Sequence, residues 1–243
     1  YRQKIENTHI IGKAYKDFFL RKLDHLKIET GAPDLAEFPK IPSLSDNSYI
    51  ENLQCSKSYQ AEREKVRTNW KTPYETDCYY YAGSNSINLY AGMLFDLDYN
   101  DDPAYLFATL GRTIAHEITH AFDMVGQKYD EKGRKHSWFK KLFSGIAFCE
   151  DKREEVYQKL ISQFDSYSCC DSLFVDGQKT LQENYADLAG LEVSLAAFKM
   201  YLKEKESNIS EQVLNEELKK FFLFYARFWK EKGTAEYEAI SFN

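Results

Sequence analysis

The chain is 243 residues long, 43% hydrophobic, and carries a formal charge of −6. That supplies one core of good size, with room for a compact subdomain. The acidic balance, with no basic cluster interleaved with aromatics, argues against a nucleic-acid partner, and neither a signal peptide nor a run of about 18 apolar residues occurs.

From the N-terminus, residues 9–28 place Ile10, Ile11, Tyr15, Phe18, Phe19, Leu23 and Leu26 at helical spacing, and Thr30-Gly31-Ala32-Pro33 ends that helix. A polar, proline-containing stretch reaches Ser45, and residues 46–67 read as a polar helix. Thr76 to Tyr81 and Ser86 to Tyr90 are β-rich and flank Ala82-Gly83-Ser84-Asn85, a hairpin signal. The hairpin's exposed edge has two readings: a site of β-addition for an extended peptide, or an ordinary cover for the core.

Asp102-Pro103 is an N-cap followed by proline at the first helical position. Phe107, Leu110, Ile114, Ile118, Phe122 and Val125 continue as one apolar stripe, and Gly126 falls where the helix should end. Inside this helix stands His116-Glu117-Ile118-Thr119-His120. Two histidines four residues apart share a helix face and suit one metal ion, with Glu117 placed as general base toward a zinc-activated water. The alternative is two partly exposed histidines on a solvated face.

Catalytic zinc usually takes three protein ligands. The other histidines, His9, His25 and His136, do not follow the motif at a suitable spacing. After a helix near 150–166 and a loop at 167–179, a further helix runs to about residue 204 and carries Glu183 and Asp187, four apart on one face. Glu183 suits the third ligand and Asp187 the partner of a ligand histidine's other ring nitrogen. Thr180-x-x-Glu183 is equally a capping box. A last helix begins at Ser210, which also completes the glycan triplet Asn208-Ile209-Ser210. Five cysteines, Cys55, Cys78, Cys149, Cys169 and Cys170, cannot all pair within the chain, and no zinc-type C-x-x-C occurs.

These motifs together resemble the neprilysin and endothelin-converting-enzyme family of zinc metallopeptidases. His116 to Asp123 match its H-E-I-T-H-x-F-D, and Glu183 to Asp187 its E-N-x-A-D. Gly126, Asp130, Gly133 and Trp138 fit between them; Trp70-Lys71-Thr72-Pro73, Asn85, Ile87, Ala91, Gly92 and Leu94 fit upstream. The resemblance implies a thermolysin-like catalytic domain, mainly α with a small β-sheet (α+β), and one Zn²⁺ held by His116, His120 and Glu183. It implies Glu117 as general base, Asp187 orienting His116 and Asp123 orienting His120. The implied activity is endopeptidase cleavage of short peptides, in an extracellular, cell-surface or periplasmic protein that is membrane-anchored or secreted. A catalytically weak or inactive domain that binds peptides or a partner is the alternative.

Two departures stand out. The family's substrate-gripping Asn-Ala-x-Tyr is here Asp77-Cys78-Tyr79-Tyr80, and an ionised carboxylate only accepts hydrogen bonds where an amide also donates. Arg112 and Thr113 replace apolar pocket residues; the guanidinium favours acidic substrate side chains or simply points to solvent. Phe228 and Trp229 match positions near the pocket for the residue after the scissile bond, although their spacing with Leu214 and Leu218 reads as helix core. The family's histidine and arginine that steady the tetrahedral intermediate, and its helical lid domain, have no counterpart in these 243 residues. The chain therefore reads as a single catalytic domain, 1–243, truncated at both ends, on which the missing segments pack.

Overall fold

The computed structural model describes residues 1–9, 11–31, 40, 42–46, 48–65, 76–95, 101–135, 147–170 and 173–230. The matches at Trp70 to Pro73 and at Trp138, and residue His136, lie outside them. The helix expected at 9–28 forms over a shorter span as α2 (Lys13–Asp24), preceded by a separate α1 (Arg2–Asn7), and its C-terminal end is instead a strand, β1 (Lys27–Gly31). Gly12, with extended backbone, caps α2, and Gly31 at φ +89° ends β1, a conformation that glycine adopts without strain. β1 is polar and short. Its strand character comes from parallel pairing with a segment almost sixty positions away, Lys27 opposite Ser86 through Gly31 opposite Tyr90.

After α3 (Tyr49–Lys65), the predicted hairpin forms as β2 (Cys78–Tyr81) and β3 (Ser86–Tyr90), antiparallel with Tyr81 opposite Ser86. Asn85 takes the positive φ of 49° that its turn requires. The sheet order is β1-β3-β2, so β3 is central and β2 is an edge. β3 leads straight into α4 (Ala91–Phe95).

The stripe from Asp102 to Val125 is not one uniform helix. Asp102 caps α5 (Pro103–Leu106), accepting from Ala104 N; the backbone then widens into a π-helical turn at Phe107–Gly111 and tightens again as α6 (Arg112–His120). Such widened turns collect at functional sites, and here three hydroxyls act on the carbonyls of this stretch. Thr109 donates to Tyr105 O, Thr113 to Thr109 O, and Ser194 to Phe107 O. α6 stops at His120 rather than at Gly126, because Asp123 accepts from Val125 N and Gly126 N and turns the chain. Gly126 is required for another reason: a Cβ there would lie 1.8 Å from His120 O.

The remaining helices are α7 (Ala147–Asp165), α8 (Gly177–Lys205) and α9 (Glu211–Phe228). Between α7 and α8 the expected loop holds two short strands, β4 (Ser168–Cys170) and β5 (Leu173–Phe174). α8 is capped by Asp176, which accepts from Lys179 N, while Thr180 donates its hydroxyl to Asp176 O. The capping-box reading of Thr180 and Glu183 is thus replaced, and the Glu183 carboxylate is left for another task. Ser210 caps α9 through Val213 N.

Three packings build the frame around α6. Leu110, Ile114 and Ile118 press on Cys78, Ile87 and Leu89 of the sheet. Tyr157, Leu160 and Leu181 join α7 to α8. Ala104, Ala108, Phe198, Leu202 and Phe221 form the core among α5, α8 and α9. No described helix is long and apolar enough to cross a membrane.

Candidate metal centre

α6 is held between the sheet and α8, and its third face, bearing His116 and His120, looks into a cleft of about 940 Å³. α8 meets α6 through Glu183, Asp187 and Gly190, and the π-helical turn before it through Ser194, a set at helical spacing along one face. The helices approach closely because position 190 is glycine: a Cβ there would lie 2.7 Å from His116 N. This contact delivers Glu183 to the histidines, and nothing local in the sequence announces it.

His116 Nε2 lies 3.0 Å from His120 Nε2, and Glu183 Oε2 lies 3.2 Å and 3.5 Å from those two atoms. Tetrahedral ligands at zinc's usual bond lengths stand roughly 3.3 Å apart, so the three atoms are already spaced as a ligand triangle. The donor chemistry, two imidazoles and one carboxylate, also suits zinc. Among the described residues a cluster of His116, Glu117 and His120 meets a general metal-ligand spacing as well. Glu183 is the better third donor. Glu117 Oε1 is 3.9 Å from His116 Nε2, and its Oε2 is engaged by Tyr80 N–H at 2.7 Å.

The outer ring nitrogens are fixed by carboxylates. His116 Nδ1 is 2.7 Å from Asp187 Oδ1, and His120 Nδ1 is 2.8 Å from Asp123 Oδ2. Both contacts put the ring proton on Nδ1 and leave Nε2 for the metal. Asp123 is buried and committed three ways, to His120, Val125 N and Gly126 N.

The electrostatics follow the geometry. Burial lifts Glu117 to about 7, against the pull of both histidines and the Tyr80 N–H. Burial opposes charge on His120, but hydrogen bonds to Asp123 and Glu183 outweigh it and raise the ring to about 10. His116 is raised by Asp187 and Glu183 against the same burial penalty. Hydrogen bonds from both histidines hold Glu183 well below the usual carboxylate range.

The candidate catalytic, metal-ligating and substrate-binding residues read from the sequence line this one cleft: Asp77, Cys78, Arg112, Thr113, His116, Glu117, His120, Asp123, Glu183, Asp187 and Trp229. Two expectations need correction. Arg112 does not point to solvent; it is 2% exposed, paired with Asp187 and stacked 4.5 Å over Trp229. Phe228 and Trp229 are not helix core; they sit at the exposed end of α9 and line the cleft, while Phe221 occupies the core. Asp77 is tied up locally, accepting from Cys78 N at 2.9 Å and from the Tyr79 hydroxyl. Sequence reasoning missed the Tyr80 N–H on Glu117, the Arg112–Asp187 pair and Gly190. The first and last are backbone features, which residue type hardly reveals.

A buried glutamate beside two imidazoles and a carboxylate, at the foot of an open cleft, is the equipment of a metal-dependent hydrolase of the peptidase class. The chain belongs to peptidase family M13, whose sequence profile matches residues 77–241. It is 30% identical to an endothelin-converting enzyme homolog of Locusta migratoria, over 97% of this chain and 34% of that protein. A neutral endopeptidase of Lactococcus lactis subsp. cremoris is 26% identical over 99% of this chain and 37% of its own length. In three dimensions PepO from Lactobacillus rhamnosis HN001 superposes with a TM-score of 0.73 at 26% identity, covering 94% of this chain and 35% of that one. Zinc metalloprotease Zmp1 of Mycobacterium tuberculosis shares the fold, with a TM-score of 0.76 at 24% identity over 97% of this chain and 37% of that one. The mainly α architecture with a small sheet is therefore that of M13 peptidases, and the chain spans about a third of these relatives' length.

Proposed function

We propose that this chain is the metal-binding catalytic portion of a zinc-dependent endopeptidase that cleaves short peptides. The spacing of His116 Nε2, His120 Nε2 and Glu183 Oε2, within 3.0–3.5 Å of one another, supports this reading most directly. A zinc ion held by these three residues would polarise water and the scissile carbonyl. Glu117, lifted by burial to about 7, accepts the water proton on its carboxylate and passes it to the leaving amine nitrogen. Tyr80 N–H keeps Glu117 aimed while occupying only Oε2. Asp187 and Asp123 hold the two imidazoles in the ligating tautomer.

The edge strand β2 borders the cleft. Its Cys78 N–H is taken by Asp77 and its Tyr80 N–H by Glu117, so it serves an extended peptide chiefly through carbonyl acceptors. We also propose an extracellular, cell-surface or periplasmic setting for the whole protein, a reading that membership of family M13 supports.

The test uses the full-length protein, loaded with zinc and offered a peptide library, beside Glu117→Gln. Wild type should cleave, and the variant should retain zinc with turnover reduced at least about a hundredfold. Equal turnover by both proteins would sink the mechanism. The internal engagement of Asp77 favours one rival, a domain that binds peptides with little cleavage. Under that rival, wild type binds the same peptides and leaves them intact.

A further inference from the structure

Arg112 is a buried cation that the proposed chemistry leaves unused. It opens α6 one turn before His116, and its side chain is 2% exposed although it lines the cleft. A guanidinium carries five donors in a planar fork that matches a carboxylate in two bonds. Here that fork is only partly met. One terminal nitrogen donates to Asp187 Oδ1, the oxygen that also faces His116 Nδ1. The Nε–H has no hydrogen-bond partner among the described residues.

A buried donor without an acceptor is costly, and native proteins seldom leave one idle. The group is also held in place, because its Cζ lies over the Trp229 ring, 4.5 Å from the centroid. Thr113 and Thr109 add hydroxyls to the same wall, but both donate to helix carbonyls. The wall is therefore a cation with one spare donor, backed by an aromatic ring, in a cleft that also holds the proposed scissile bond. Apolar side chains gain little there, whereas an anion is drawn to the incompletely paired guanidinium.

Resting on the peptidase reading, we propose that Arg112, stacked on Trp229, is a specificity-determining residue that receives a substrate carboxylate. That carboxylate comes from an acidic side chain near the cleaved bond or from the peptide's own C-terminus. Asp187 remains with His116 and shares the guanidinium, so the incoming group completes a carboxylate–guanidinium–carboxylate arrangement.

The experiment takes the zinc-loaded full-length protein and a series of matched peptides in which Glu, Gln or Leu is walked through the positions flanking the cleaved bond. Each peptide is made with a free and an amidated C-terminus. The expected result is that one carboxylate-bearing set leads by about tenfold or more in kcat/KM, equivalent to roughly 1.4 kcal/mol, and that Arg112→Met removes the lead. A lead for Glu in amidated peptides assigns the site to a side chain, and a lead for free termini assigns it to the C-terminus. Wild type cleaving Leu or Gln peptides and amides at least as well overturns the proposal, and needs no variant to fold. So does a preference that survives Arg112→Met. If no peptide is cleaved, the peptidase reading fails and a second arm decides this one. The Arg112 Nε–H resonance of zinc-free protein is followed while N-acetylglutamic acid amide, N-acetylglycine or N-acetylleucine amide is added. A saturable shift with either carboxylate and none with the leucine amide supports the site; no difference among the three overturns it.

Discussion

Asp123 offers the sharpest test, because two substitutions there separate its two tasks. Its Oδ1 accepts from Val125 N and Gly126 N, each at 2.8 Å, and its Oδ2 faces His120 Nδ1 at 2.8 Å. Asp123→Asn keeps a carbonyl oxygen for the two amides but turns an NH₂ toward His120. That NH₂ needs Nδ1 as an acceptor, which moves the ring proton to Nε2, the nitrogen meant for the metal. Loss of such a partner typically weakens metal affinity by about 10–100-fold, roughly 1.4–2.8 kcal/mol. Asp123→Ala instead strands two backbone N–H groups at about 1–3 kcal/mol each, so about 2–6 kcal/mol of folding stability is lost as well. Zinc affinity is measured by competition with a chelator, and stability by urea unfolding of the zinc-free proteins. The Asn variant should lose affinity and keep most of its stability; the Ala variant should lose both. An Asn variant that binds zinc as tightly as wild type would refute the tautomer argument and Asp123's role in the centre.

Gly190→Ala should push α8 off α6, since the added methyl meets backbone at His116 N and Cα at 2.7 Å and 2.9 Å. Overpacking of this kind costs about 1–3 kcal/mol, and because Glu183 rides on α8, zinc affinity should fall together with the melting temperature; a change in melting temperature alone would separate the helix contact from the metal site. Zinc affinity should climb with pH. Burial opposes charge on His120, but hydrogen bonds to Asp123 and Glu183 raise it to about 10, so in zinc-free protein at neutral pH its ring holds a second proton that zinc must displace. Isothermal titration in buffers of different ionisation enthalpy at neutral pH should report proton release, fading as pH approaches 10; pH-independent binding would contradict the His120 environment. Glu183→Gln should remove the anionic donor and lower zinc affinity while Asp176, the actual cap of α8, stays in place; zinc affinity unchanged in a chelator competition would remove Glu183 from the ligand set.

What the sequence determined by itself was local. Helical spacing placed α6 and α8, turn residues placed the hairpin between β2 and β3, and the i, i+4 pairs His116/His120 and Glu183/Asp187 put chemistry on one face of each helix. These follow from backbone periodicity, which a short window of residues contains. The tertiary structure decided whatever depends on distant approach. It turned residues 27–31 into a strand through pairing with β3, and it took Glu183 away from a cap because Asp176 stood one turn earlier. It also buried Arg112 against Trp229 and Asp187, and let two helices meet at a glycine closely enough to bring Glu183 to the histidines. Those outcomes rest on the fit of surfaces far apart in the chain, which residue order encodes only through the completed packing.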